Sequence, residues 1–539
     1  MANAMWDHGY HSRTTYGNGY YRELTPDWLD YAALIQSHQS PRHSDQSFRY
    51  LELGSGMGFG LCQMAVAYPE GQFVGVDFNP SHIAQAQALA VNLGLSNVVF
   101  LDLDFLDPAA SAALRDALPG PAQTYHYVAA HGIYSWVVDE VRDALLRLAS
   151  QALMPGGIFY CSYNCYPGWL GRSVFQKLLS LEQGRSDPSA ERQCFEAVIA
   201  KCQHLLGTDA NPSPLGVNLP FLKADLANLD LRNIDYLNGE YSNVGWAPVY
   251  AADVHQRCSG YRLSYLASAS LPDCFEALLA ASLREVVLQE SNPLLRQTLI
   301  DLATNKSFRR DLFVKGCNRL SRVQADSRLA QVRFLPLESP AAHDVPTADA
   351  AARSPYVFMT SFGQVIGDPA VYGPIAAVLA RSEGSSMEEL QASAGESADE
   401  LPIITSLFLD AGRIAFDRVE RGEAALALAQ KANRSLLKLI EAGRTYPTVI
   451  LPLAGTSVEM TLVEVLILQA HRQGLQGKML ASCVNLGLEA LGAQLLDASQ
   501  FPIRSMSEAL KRISAIAADC LERRLPMMRR LGAFPADWF

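Results

Sequence analysis

The chain has no excess of positive charge, no cysteine framework and no long apolar run. Lys and Arg number 44 against 55 Asp and Glu, a net charge of −11. That balance gives no general electrostatic reason to bind nucleic acid, although a local basic patch stays open. The ten cysteines are scattered, and only Cys161 and Cys165 lie close together. A CxxxC pair without a second pair or spaced histidines predicts no metal site. The irregular spacing also argues against a secreted disulfide scaffold. The opening "MANAMWDHGYHSRTTYGNGYY" lacks an apolar core, and no segment reaches ~18 uninterrupted apolar residues. A cytoplasmic protein without a membrane span is the expectation.

What is present is a large apolar complement. Hydrophobic residues make up 49% of 539, too long a chain for one ordinary core, so several domains are expected. Residues 48–164 alternate short apolar runs with helical patterns. Strands are expected at 48–53, 73–78, 98–103, 125–130 and 158–163, with helices at 59–69, 79–94 and 139–153. Asn79, Pro80 and Gly94 supply the cap, first turn and stop of the second helix. This alternation predicts an α/β fold: a doubly wound, mostly parallel sheet covered by helices on both faces. From about 190 the pattern turns mostly helical, with helices near 271–290 and 294–304. Residues 335–355, rich in Ala, Pro, Ser and Asp, read as a linker. Beyond it the chain is mostly helical, and 367–418 has the element order of a winged helix. The division expected is a lead at 1–47, an α/β domain at 48–190, a middle domain at 191–334, and a C-terminal region at 356–539.

"YLELGSGMGFGLCQ" (50–63) runs a strand into Gly54, Gly56, Gly58 and Gly60. Such a bend brings a ligand against bare main chain, which each Cβ would obstruct. The dinucleotide pattern G-x-G-x-x-G fits in neither register, because its last position falls on Phe59 or Leu61. The pattern is acidic-x-Gly-x-Gly-x-Gly, with Glu52 as the acid. Asp77 ends the second strand, where a carboxylate can accept from both ribose hydroxyls. Asp104 and Phe105 follow the third strand, suited to an adenine amino group and ring face. Together they describe an adenosine ligand without a diphosphate.

On these motifs and the "LMPGG" turn before strand five, residues 48–164 resemble the class I S-adenosylmethionine-dependent methyltransferases. "AAHGIYSWV" (129–137), "SYNCYPGW" (162–169), "YGNGYYRELTP" (16–26) and "GEYSNVGWAPVYAADV" (239–254) resemble a narrower group. These are bacterial methyltransferases with a methyltransferase regulatory domain, some of which modify protein lysines. The resemblance spans about 10–320 and implies a Rossmann-like methyltransferase sheet followed by largely helical middle and C-terminal domains. It departs at Gly239, where a His is expected, and at Cys165, where Thr is common. It implies S-adenosyl-L-methionine as cofactor, with Gly54, Gly56 and Gly58 near the methionine part, Asp77 at the ribose, Asp104 at the adenine, and Ser55, Phe78 and Phe105 beside them in the set. Tyr21, Arg22, Glu52 and His131 complete the expected cofactor set, with Arg22 pairing the carboxylate or lying solvated at a helix start.

Methyl transfer is an in-line displacement in which the protein aligns nucleophile, methyl and sulfur. His131, Tyr134, Trp136 and Asn164 follow strands four and five and are the catalytic candidates. Tyr163, Tyr166 and Trp169 lie beside them. Aromatic rings there favour a sulfonium or an ammonium, or else form core. An amine must lose its proton, and His131, Tyr134 or Glu240 could take it. His131 serves equally to orient the cofactor loop. Tyr241, Trp246 and Tyr250 form a lid wall or seal an interface. Arg523, Arg524, Arg529 and Arg530 read as a solvated helix face, or as a docking surface for an acidic partner. The expected activity is methylation of protein side chains, the lysine amine favoured. A small-molecule or glycan methyltransferase and a non-catalytic cofactor-binding scaffold are the alternatives. The expected partner is a protein substrate, not nucleic acid; a homodimer is compatible.

Overall fold

The computed structural model describes residues 6–10, 18–42, 47–120, 124–185, 190–316, 318–337, 356–418, 422–444, 446–497 and 502–538. Tyr16 and most of the expected linker, 338–355, lie outside these.

Five strands carry the parallel part of the central sheet: β1 (Phe48–Leu53), β2 (Gly71–Asp77), β3 (Val98–Asp102), β4 (Tyr125–Ala130) and β5 (Leu153–Asn164). All but the last keep close to the expected spans. Strand β5 starts five residues early, because Leu153 pairs with Tyr125 across a bulge before the regular register resumes at Ile158. Strand β1 is buried at every position, as a strand covered on both faces must be. Helices Phe59–Ala67, Pro80–Leu93 and Asp139–Ala152 connect the strands. The middle one is capped as its sequence dictates: the Asn79 side chain accepts from Ser81 N, and Gly94 stops it at φ 73°.

Two further strands come from the middle of the chain, β6 (Leu263–Ser268) and β7 (Phe308–Lys315). The order is β3-β2-β1-β4-β5-β7-β6, with β7 antiparallel to both neighbours. The doubly wound sheet is therefore of seven strands, and the middle region, expected to be mostly helical, supplies two of them. The helix expected across 271–290 is also broken: two 3-10 turns, Leu271–Cys274 and Glu276–Leu278, precede a short helix Ala281–Leu288. The order of strands reverses between β1 and β4, which opens a crevice at their carboxyl ends.

A buried polar cluster ties β7 to β5. Asp311 Oδ2 accepts from His255 Nε2 at 2.7 Å and from the Tyr163 hydroxyl, while Arg309 Nε lies 3.0 Å from both of its oxygens. Arg309 also donates to Asp301 at 2.6 Å and to Gln297 at 2.8 Å. These donors outweigh burial and hold the Asp311 carboxyl below the usual range.

The C-terminal half is largely helical. Helix Glu423–Glu441 packs Ala429, Ala432 and Leu436 into the same apolar cluster as Leu61, Ala65 and Phe73 of the sheet domain. Arg418 clamps the junction: it pairs with Asp27 at 2.8 Å and with Glu70, and lies 4.2 Å from the Tyr68 ring centroid. A three-stranded sheet places Arg333–Pro336 between Ser385–Ser386 and Ile414–Phe416. Among the described residues, no helix is long and apolar enough to cross a membrane.

Removing the carboxylate beneath β5 leaves Arg309 buried without its main counter-charge. Asp311→Ala is expected to lower unfolding stability by about 3–5 kcal/mol. Urea denaturation at pH 7 checks this, with Asp311→Asn expected to cost less because it keeps an acceptor.

Candidate functional site

The crevice at the carboxyl ends of β1 and β4 is a cavity of about 420 Å³. Its floor is the glycine loop. Gly54, Gly56 and Gly58 all have positive φ, at 77°, 53° and 69°. They are not equivalent. A Cβ on Gly54 would collide with Ile133, and one on Gly58 with Phe100 and Ala86, so packing inside the protein demands those two. A Cβ on Gly56 meets nothing within 4 Å. Only at Gly56 does the bare main chain face open space, which corrects the expectation that every glycine makes room for a ligand.

The loop is locked to the end of β2, where Asp77 Oδ2 accepts from Gly56 N and Oδ1 from Asn79 N, each at 2.9 Å. Both oxygens keep acceptor capacity. Glu52 sits behind, and burial with the nearby Asp77 charge pushes its carboxyl up to about 8. On the cavity wall Ser55 Oγ and His82 Nε2 make no hydrogen bond, His82 Nδ1 reaches Asp77 Oδ1 only at 3.3 Å, and the Asn164 amide, which acts on Glu240, keeps Nδ2 short of a full hydrogen bond. A wall of carboxylates with unsatisfied polar atoms suits a ligand rich in N–H and O–H groups and carrying positive charge.

The far end of the cavity is closed by residues 6–10, which the sequence did not flag. His8 Nε2 lies 2.7 Å from Asp104 Oδ2. Trp6 and Tyr10 cover the Phe78 ring with centroids 5.4 and 5.8 Å away. Gly9 secures this strap: its carbonyl accepts from Val244 N at 2.9 Å, and its φ of 76° is one that L side chains rarely adopt. The aromatic-rich "WDHGY" was the available signal.

The other end is built from β4, β5 and the middle region. His131 Nδ1 lies 2.9 Å from the Tyr160 hydroxyl, and its ring packs against Tyr21, tilted by 37° with centroids 3.9 Å apart. Burial, helped by the Arg310 charge, pulls the imidazole down to about 3. A group so weakly basic takes no proton at neutral pH, which favours the orienting role over proton transfer. Trp136 and Asn164 line the cavity, as do Tyr236, Glu240 and Phe308. Burial raises the Glu240 carboxyl to about 7, against the opposing influence of Asn164 and Arg172. Phe308 arrives on β7, a strand missed in the sequence.

Two expected site residues face elsewhere. Tyr134 is buried behind the wall, its ring 6.0 Å from Tyr163 and under Arg142, whose Nε donates to the Tyr134 carbonyl at 2.8 Å. It is core, because the turn after β4 points its neighbours Ile133 and Ser135 at the cavity instead. Arg22 donates to the Asp410 carbonyl and lies 5.3 Å from the Trp28 centroid, so it braces the C-terminal region. Tyr241, Trp246 and Tyr250 seal an interface: the first two pack on Trp169 at 5.9 and 5.8 Å, the third on Tyr166 at 5.2 Å. Cys165 is also buried away from the cavity, its thiol 3.4 Å from the Lys306 carbonyl. Of the C-terminal arginines, Arg523 pairs with Asp519, Arg524 with Glu464, and Arg530 donates to Pro336 O at 2.7 Å.

Comparison with known proteins agrees with this geometry. The sequence matches a methyltransferase domain over residues 44–213 and a predicted methyltransferase regulatory domain over 233–315. An uncharacterized protein of Synechocystis sp. is 28% identical over 98% of this chain and 99% of its own length. One of Rickettsia prowazekii is 32% identical over 30% of this chain and 27% of its own. The fold is similar to that of PKMT2 from Rickettsia typhi, solved in complex with AdoHcy. That structure has a TM-score of 0.64 at 16% identity, covering 96% of this chain and 99% of the other.

Two measurements follow. Asp77→Ala removes both the loop lock and two acceptors, so calorimetric affinity for S-adenosylmethionine should fall at least about 100-fold. His131→Asn should weaken cofactor affinity roughly tenfold, yet leave the shape of the rate–pH profile unchanged between about pH 5.5 and 8.5.

Proposed function

The chain is an S-adenosylmethionine-dependent methyltransferase carrying a methyltransferase regulatory domain, and from that premise we propose that it methylates protein side chains, the lysine amine foremost. The observation that carries this reading is the acceptor end of the cavity. Tyr21, Trp136, Tyr236 and Phe308 wall it with aromatic rings, and Glu240 brings a carboxyl group among them. Rings that flank a single carboxylate suit a long apolar stem ending in a cation.

A second cavity of about 1260 Å³ adjoins the first and shares Asn18, Gly19 and Tyr21 with it. It runs between the lead segment and the C-terminal region, past Trp28, Phe416 and Met527. A space this large supports a polypeptide substrate over a small metabolite. The resemblance to bacterial protein lysine methyltransferases points the same way. A glycan or small-molecule acceptor is the second reading, and the exposed rings at Tyr21 and Tyr236 would stack on a sugar as well.

When bound, the cofactor supplies a methyl group on positively charged sulfur. The chain's own residues do the rest. Gly56 would admit the ligand to the main chain, Asp77 would accept from its ribose hydroxyls, and Glu52 would lie behind them on the same wall. Asp104 would present its carboxylate to the adenine, and His8 lies 2.7 Å from the same carboxylate. His131, kept neutral, fixes Tyr21 over the site. The buried part of the aromatic wall, Trp136, disfavours a charged amine.

Tritiated S-adenosylmethionine incubated with cell extract and purified protein is the test. Label is expected in protein, and hydrolysis of that protein should release methylated lysine. Label confined to a glycan or to small molecules would overturn the reading. Trp136→Ala should lower the rate of incorporation by about 10–100-fold while cofactor affinity stays within twofold.

A further inference from the structure

We propose that Glu240 is the catalytic residue that receives the acceptor's ammonium group and takes its proton, an inference that rests on the lysine reading above. The cavity holds carboxyl groups at both ends. Glu52, Asp77 and Asp104 belong to the cofactor half, bound up with the glycine loop, β2 and the loop after β3. Glu240 stands apart from them, on helix Ile234–Tyr241 of the regulatory region. Its backbone is fixed, because the Glu240 carbonyl accepts from Trp246 Nε1 at 3.0 Å. Its side chain faces the end of β5, where Asn164 brings a buried amide with Nδ2 lacking a full hydrogen bond.

The surroundings decide what that carboxyl can do. From the lead segment Tyr21 faces it, and from its own helix Tyr236 and Tyr241. Arg172, on helix Leu170–Gln183, is the cation that acts on it. Arg172 is already committed to Asp225, at 3.0 Å. Glu240 thus has hydrogen-bonding capacity left for an incoming cation. Near neutral pH it is poised between its two forms, and its conjugate acid can give the proton back to water. His131 cannot serve, being held neutral and hydrogen-bonded to Tyr160.

The step balances as follows. One ammonium proton passes to a Glu240 oxygen. The freed nitrogen lone pair forms the bond to the methyl carbon, and the electrons of the breaking carbon–sulfur bond stay on sulfur, which leaves as a neutral thioether. Glu240 then releases the proton to solvent. Asn164 positions the carboxyl through its amide.

The experiment uses the full chain with polylysine as acceptor and tritiated S-adenosylmethionine, scoring methyllysine after hydrolysis. Wild-type kcat/KM is expected to rise with pH through about 7 and then flatten. Glu240→Gln should lose at least about 100-fold at pH 7 and regain rate tenfold per pH unit toward the amine's own pKa of about 10.4. Glu240→Asp should recover part of the loss, and S-adenosylhomocysteine affinity should be unchanged in both. Binding of hexylammonium to the S-adenosylhomocysteine-loaded wild type, followed by ligand-detected NMR, should strengthen as pH rises through about 7; no variant is needed there. If wild type methylates polylysine and Glu240→Gln matches it at pH 7, Glu240 is not the base and the lysine reading stands. If wild type forms methyllysine neither on polylysine nor on cell-extract protein, that reading fails and this inference with it.

Discussion

Asp311 is the fixed point on which the acceptor side of the site rests. It is wholly buried and would cost several kcal/mol to ionise there alone. Arg309, His255 and Tyr163 surround it with donors, and Asp301 shares the arginine's charge. Satisfied in this way, the carboxylate joins β7 to β5 from below. Two parts of the cavity depend on that junction. Tyr163 is held by its hydroxyl, and Phe308, three residues before Asp311, is carried into the wall. The regulatory region is thereby part of the catalytic sheet and not an appendage to it.

The two halves of the cavity differ in how they are made. The cofactor half is local: a strand, a glycine turn and two strand-end acids within about sixty residues of chain. Its electrostatics are those of a site awaiting positive charge, with Glu52 raised toward neutrality beside Asp77. The acceptor half is assembled from Tyr21, Trp136, Asn164, Glu240 and Phe308, scattered across almost three hundred residues. Here desolvation dominates. It keeps His131 uncharged and lifts Glu240, so two groups that could compete for a proton are separated by several pH units.

That difference explains what could be read from the sequence. The loop, Asp77 and Asp104 lie at or just past strand ends whose apolar runs announce themselves, so the parallel sheet and the residues gathered at its carboxyl ends were legible. Strands β6 and β7 were not, because "FRRDLFVK" carries three consecutive charges that look solvent-facing. They are satisfied by one another and by Tyr163, His255, Gln297 and Asp301, pairings invisible along the chain. Tyr134 and Trp136 are separated by a single residue in the same turn and both are buried, yet only Trp136 also reaches the cavity; sequence gives them the same promise. Gly54 and Gly56 likewise share a motif and a positive φ but answer to different neighbours, Ile133 in one case and open space in the other.

The C-terminal half bears on the chemistry through three consecutive residues. Tyr20 donates its hydroxyl to Thr456 at 3.2 Å, and Arg22 donates to Asp410. Both partners belong to the C-terminal region. Between them Tyr21 projects the opposite way and packs against His131 at 3.9 Å. The following helix, Pro26–Ile35, is held by the same region, through Asp27 with Arg418 and through Tyr31 with Thr405 at 2.7 Å. Tyr21 separates the small cavity from the large one, so its placement sets the passage between them. A segment that, among the described residues, contributes no side chain to the small cavity therefore fixes the residue at its mouth. That is a structural reason for a methyltransferase of this kind to carry so much chain beyond its catalytic sheet.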